Sequence, residues 1–164
     1  MQRTVDDLID VPHRHLVLTV AEELREVLFW HRFLLKVMMD CAAQTALEVL
    51  QSQKSEAIPG SLAVVHTFGR DLKFNPHVHV LMTEGGLRGS RWEPIPFLPY
   101  ALLRKKWQYH LLTEIKGRWA KSREDSRFID RLFKEHVQGF YVNGESQMTS
   151  SRYAARYIGR YIAR

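Results

Sequence analysis

The sequence predicts an α+β fold, a central antiparallel sheet with helices packed on it, and three observations lead there. Segments rich in branched residues, and short enough to be strands, recur as HRHLVLTV, SLAVVHTF and HVHVLMT. Only GRDLKFNP separates the last two, too short a connection for a parallel crossover, so those strands pair antiparallel. Longer segments with apolar residues three and four positions apart lie between and after the strands, and these supply helices to cover the sheet.

In chain order, residues 13–20 form the first strand. A single long helix is expected over 21–53, where Leu24, Val27, Leu28, Leu34, Val37 and Met38 share a face. Pro59-Gly60 ends it, and strands follow at 61–68 and 77–83. Gly85-Gly86 is expected to turn the chain into a short strand near Trp92. The stiff PIPFLP segment then leads into a helix over 100–120, and a shorter charged helix covers 125–134. A further strand is expected at 137–142, turned by Asn143-Gly144. Thr149 or Ser150 caps a last helix that contains Tyr153 to Arg164.

With 164 residues the chain has the length of one domain and enough material for a core. Its longest apolar run, 27–43, is interrupted by His31, Arg32, Lys36 and Asp40, so no segment reaches the roughly 20 apolar residues of a membrane span. MQRTVDDLID lacks the apolar centre of a signal peptide. A cytoplasmic protein without a membrane partner is expected. The lone Cys41 excludes an internal disulfide and a cysteine-rich zinc module, and reads as a small buried apolar residue. A net charge of +6 favours polyanionic partners, and the excess gathers after Arg88 in RGSRW, LLRKKWQ, IKGRWAKSR and SRYAARYIGRYIAR.

Two sets of residues carry chemistry. In His77-Val78-His79, the period of two along a strand sends both imidazoles to one face while Val78 faces the core. Two converging imidazoles are half of a metal site. His66, on the preceding strand, either reaches the same face as a third ligand or hydrogen-bonds within the sheet. His13 and His15 share a face of the first strand and stand in reserve. His31, His110 and His136 have no partner at ligand spacing and read as surface residues.

The second set lies at the C-terminal end. Tyr153, Tyr157 and Tyr161 recur every four residues along one helical stripe, and Arg152, Arg156, Arg160 and Arg164 along the next. Tyrosines alone read as core packing and arginines alone as a solvated face. Together in a basic protein they read as a phosphate-facing surface, because guanidinium groups pair with phosphate oxygens in bidentate fashion. A phenol is a weak nucleophile at its ordinary pKa of about 10, and a metal-bound phosphate compensates for that weakness. Each set supplies what the other lacks.

FNPHVHVLMTEGG, with LAVVHTFGRDL before it, VPHRHLVLTVAEELR at the start and RYIGRYIAR at the end, resembles the two-tyrosine HUH class of rolling-circle insertion-sequence transposases. The resemblance implies an HUH nuclease-like sheet carrying the His-x-His strand, with the tyrosine helix laid across it. It implies that Tyr157 and Tyr161 nick and rejoin single-stranded DNA of transposon ends and target through a 5′-phosphotyrosine bond. It implies a divalent metal, Mg²⁺ or Mn²⁺, on His77 and His79, with His66 suiting the place of a third ligand. Arg152, Arg156, Arg160 and Arg164 are then expected to contact DNA. The family usually carries a cysteine-rich zinc-binding segment ahead of the first strand and continues past the tyrosine helix. Residues 1–164 are therefore expected to be a single catalytic domain, a core fragment of a longer protein. Replication initiators and relaxases share the chemistry and are the alternative enzymes. A non-catalytic single-stranded nucleic-acid-binding module, stacking bases on Trp92, Trp107 and Trp119, is the alternative of another kind.

Overall fold

The computed structural model describes residues 10–53, 56–69, 71–95, 97–144, 148, 154 and 159. Its main sheet has four strands: β1 (His13–Thr19), β2 (Ser61–Phe68), β3 (Phe74–Thr83) and β6 (Val142–Gly144), in the order β2-β3-β1-β6. Every pairing is antiparallel. The smaller β4 (Gly85–Arg88) and β5 (Arg91–Pro94) form a separate ribbon. Four helices are α1 (Leu24–Trp30), α2 (Phe33–Gln53), α3 (Tyr100–Trp119) and α4 (Arg123–Glu135). The expected α+β class with an antiparallel sheet is what the chain adopts. No described helix is long and apolar enough to cross a membrane.

The sheet has two unlike faces. Leu16 and Leu18 of β1 and Val78, Val80 and Met82 of β3 point to the helices and are buried. There they meet Leu24 and Leu28 of α1, Met38, Ala42 and Ala46 of α2, and Leu103, Trp107 and Leu111 of α3. Trp107 has no exposed surface, and its indole Nε1 donates to the Thr19 carbonyl at 2.7 Å, tying α3 to the end of β1. It belongs to the core and offers no ring for base stacking. Cys41 is likewise buried, and burial foremost pushes its thiol up to about 12, so it packs as an apolar residue. On the opposite face, alternation places His13 and His15 of β1, Leu62 and His66 of β2, and His77, His79 and Leu81 of β3.

β3 begins at Phe74, three residues before its expected start, and four other boundaries differ from the sequence expectation. The helix expected over 21–53 is two helices, broken at His31, whose φ of −118° and ψ of 69° are not helical. Leu28 and Leu34, six residues apart, would stand about 120° apart on one continuous helix at 3.6 residues per turn. The break lets both be fully buried. Gly85-Gly86 lies inside β4, and the ribbon turns at Gly89, where φ is +60°. α4 starts before Asp125, because Ser122 and Asp125 form a reciprocal capping box: Asp125 N–H donates to Ser122 Oγ at 3.0 Å and Ser122 N–H to Asp125 Oδ2 at 2.9 Å. The strand expected at 137–142 is β6, displaced to Val142–Gly144. Residues 137–139 are used to turn out of α4 through Gly139, at φ +79°, and Phe140 and Val142 then enter the core. The cap, Thr149 or Ser150, and the helix expected from Tyr153 to Arg164 lie outside the described residues, apart from Ala154 and Gly159, which are helical.

Candidate metal centre

His66, His77 and His79 come together on the sheet face turned away from the helices. The β2–β3 connection is short, so β2 folds straight back along β3 and sets His66 directly opposite His77. His79, two residues along, completes the group. Ring centroids lie 5.5 Å apart for His66 and His77, 4.6 Å for His66 and His79, and 4.9 Å for His77 and His79. One ring nitrogen from each lies within 4.8 Å of the other two, near enough for one ion to meet all three after small ring rotations. It is the one such group of three among the described residues.

The surroundings prepare these imidazoles as ligands. Nδ1 of His77 donates to the Asn75 carbonyl at 2.7 Å, which places its proton there and makes Nε2 the lone-pair nitrogen. Nδ1 of His79 is engaged by Nε2 of His15 at 2.8 Å, so Nε2 is again the nitrogen turned to a metal. Burial is the main force that lowers the His77 pKa, with the nearby His66 adding to it against the Asn75 carbonyl. Burial, and then His15, His77 and His66, push His79 down to about 3. For His77 and His79 the charge state a metal requires is thus already the resting one at neutral pH. Three imidazoles, two of them with the second ring nitrogen held, are a donor set that fits a divalent transition metal.

The other histidines are distributed differently from the sequence expectation. His15, held in reserve there, is buried and lies edge to edge with His79, the rings 8° from parallel and their centroids 5.0 Å apart. β1 pairs with the other edge of β3, and its register sets His15 opposite Leu81, one pair along from His79. The same-face pair His13 and His15 was visible in the sequence, but no local signal reveals which strand lies beside β3. His13 is buried on that face, donating from Nδ1 to the Val11 carbonyl at 2.7 Å. His31, His110 and His136 are not free surface residues. His110 lies 2.9 Å from a Glu48 carboxylate oxygen, His136 lies 3.8 Å from Glu23, and His31 packs edge-on against Phe33 and near Trp119.

Tyr153, Tyr157, Tyr161, Arg152, Arg156, Arg160 and Arg164 lie outside the described residues. Two neighbours of theirs are described. Met148 exchanges backbone hydrogen bonds with His13, at 2.7 and 2.8 Å. Met148 and Ala154 are buried with Leu81, against Leu62, on the histidine face of the sheet. By contrast, a cleft of about 370 Å³ lies among α1, α3 and α4, on the helical side. Glu23, Glu26, Glu124 and Asp125 line it, together with Trp30 and Trp119, and their charge is wrong for a polyanion.

Comparison with known proteins bears on this arrangement. Residues 60–164, which include both strands of the histidine group, match the Y2_Tnp family, described as "Putative transposase". The chain is 26% identical over 166 residues to the "Transposase for insertion sequence element IS801" of Pseudomonas savastanoi pv. phaseolicola, covering 94% of this chain and 40% of that protein. It is 25% identical over 151 residues to the "Putative transposase y4qJ" of Sinorhizobium fredii, covering 88% of this chain and 32% of that protein. The chain thus spans well under half the length of these relatives. No solved structure matches it. With its His-x-His strand and the tyrosine-bearing end both inside the matched region, the chain belongs to the Y2_Tnp family of transposases.

Proposed function

We propose that residues 1–164 form a single catalytic domain that nicks and rejoins single-stranded DNA in rolling-circle transposition, with tyrosine as nucleophile and a divalent metal on His66, His77 and His79. The observation that carries this reading is the group of three imidazoles on the sheet face where Ala154, three residues before Tyr157, is buried. A cation bound there would withdraw charge from a phosphate through a non-bridging oxygen. Imidazole donors favour Mn²⁺ over Mg²⁺, which prefers an all-oxygen shell.

The roles of this chain's residues follow from their chemistry. Arg152, Arg156, Arg160 and Arg164 hold backbone phosphates through charged hydrogen bonds. The phenolic oxygen of Tyr157 or Tyr161 attacks phosphorus as its proton leaves. The tyrosine–phosphorus bond forms, the bond from phosphorus to the 3′ oxygen breaks, and that oxygen takes a proton to become a free 3′-hydroxyl. The 5′ end stays on tyrosine, and attack by another 3′-hydroxyl reverses the step, so rejoining needs no external energy. On the helix expected from the sequence, Tyr157 and Tyr161 would lie one turn apart, about 6 Å at a rise of ~1.5 Å per residue, so one could hold a cut end while the other opens a second strand.

The test is covalent capture. Incubating the protein with labelled single-stranded oligonucleotides and Mn²⁺, then running denaturing gels, is expected to give adducts. Tyr157→Phe and Tyr161→Phe singly leave some adduct and together leave none, whereas Tyr153→Phe leaves adduct formation intact. A non-catalytic binding module gives no adduct under any condition. Label mapped to Tyr153 alone would overturn the assignment of the pair.

A further inference from the structure

His15 stands outside the three-histidine group, yet it makes a short polar contact with a member of that group across strands. Its Nε2 is 2.8 Å from Nδ1 of His79, its ring is nearly parallel to that of His79, and it is almost fully buried. It comes from β1, on the far side of β3 from the strand that carries His66. β3 is therefore flanked by one strand that adds a ligand and another that adds a histidine behind a ligand.

We infer that His15 is a positioning residue for the metal centre: it accepts a hydrogen bond from His79 Nδ1–H and so locks His79 as an Nε2 donor aimed at the ion. This rests on the proposed metal role of His66, His77 and His79. A neutral imidazole carries one proton, and whichever nitrogen holds it cannot bind a metal. Left to itself, the His79 ring is free to hold that proton on either nitrogen and to flip about its Cβ–Cγ bond. His15 removes both freedoms. As acceptor it keeps the proton on Nδ1, and the hydrogen bond, made in the plane of both rings, holds the His79 ring in its orientation. His77 receives the same service from the Asn75 carbonyl at 2.7 Å. The two ligands on β3 are thus oriented by different devices, a local backbone carbonyl for His77 and a side chain 64 residues away for His79. Acceptor, His15 then carries its own proton on Nδ1 and remains neutral.

Three substitutions separate the acceptor from the ring and from the volume. His15→Phe keeps a flat ring beside His79 but has no acceptor. His15→Gln loses the ring and keeps an amide oxygen near the position of Nε2. His15→Ala loses both. The first measurement is Mn²⁺ affinity of the full chain by calorimetry, without DNA. Loss of such an outer partner typically weakens metal binding about 10–100-fold. That drop is expected for His15→Phe and His15→Ala, with most of the affinity recovered in His15→Gln. The second is nitrogen-15 NMR of the histidine rings with diamagnetic Zn²⁺ bound, expected to show the His79 proton on Nδ1 in the wild type. Circular dichroism of each variant shows whether it is folded. Wild-type affinity in His15→Phe, or a His79 proton on Nε2 in the zinc-bound wild type, would overturn the inference and leave the metal centre standing. Loss of a histidine signature from the Co²⁺ absorption spectrum of His15→Gln would make His15 a ligand and also overturn it. If the wild-type chain binds no metal at all, the proposed metal centre itself fails.

Discussion

Metal binding at the three-histidine group is testable as stability, without DNA or turnover. A ligand that binds only the folded state stabilises it by RT ln(1 + [L]/Kd), about 2.7 kcal/mol when the free ion is a hundredfold above its dissociation constant. For a domain of this size each kcal/mol moves the melting temperature by roughly 2–4 °C, so saturating Mn²⁺ is expected to raise Tm by roughly 5–11 °C. His77 and His79 sit on β3, inside the sheet, and His66 on the edge strand β2, which is paired with β3 along most of its length, so the ion is released only when that pairing opens. The rise should therefore appear in full. His66→Ala, His77→Ala and His79→Ala each remove a third of the donors and are expected to abolish most of it. Their Tm values without metal should change far less, because these imidazoles lie off the main apolar core. The assay is thermal unfolding followed by circular dichroism across a Mn²⁺ titration, with EDTA as control. A full rise retained in the His77→Ala/His79→Ala double variant would refute the reasoning and place the ion elsewhere.

Three further outcomes follow from the structure. Burial alone would raise the Glu48 carboxyl, but hydrogen bonds from Lys106, Gln44 and His110 outweigh it and hold its pKa at about 2. A folded pKa below the unfolded value of 4.5 gives stability that is complete above about pH 4.5 and is lost as pH falls towards 2. Glu48→Gln is expected to be roughly 1 kcal/mol less stable than wild type at pH 7 and to converge with it by pH 2, in urea unfolding compared across that window. Gly139→Ala puts a Cβ within 2.3 Å of the Arg104 backbone at a φ of +79°, and is expected to lower stability by at least about 2 kcal/mol; an unchanged Tm would contradict the turn geometry. Trp107→Phe removes the donor to the Thr19 carbonyl and leaves a cavity, for an expected loss of about 1–3 kcal/mol, with exposed tryptophans leaving fluorescence of the variant redder than wild type.

Local periodicity determined much of this protein before any tertiary contact. A period of two places His77 and His79 on one face of any strand that contains them, whatever that strand pairs with. The extent of α3 was equally local, since its apolar spacing runs unbroken until Trp119. The brevity of GRDLKFNP required β2 to return beside β3 and so brought His66 to the neighbourhood of the pair. The tertiary structure decided what depends on non-local choice. Register was one such choice: a slip of one residue between β2 and β3 would turn His66 to the helical face, and the packing of Ala63 and Val65 of β2 against the core opposes that slip. The neighbour on the other side was another. No spacing in the sequence tells that β1 lies beside β3, yet that pairing alone puts His15 against His79. The break at His31 and the displacement of β6 have the same origin. The break at His31 follows from no glycine or proline and the displacement of β6 turns on Gly139, but both meet the demand that Leu28, Leu34, Phe140 and Val142 reach a core shared by distant segments. Local sequence sets which side chains share a face, and burial of apolar surface from the whole chain sets which faces meet.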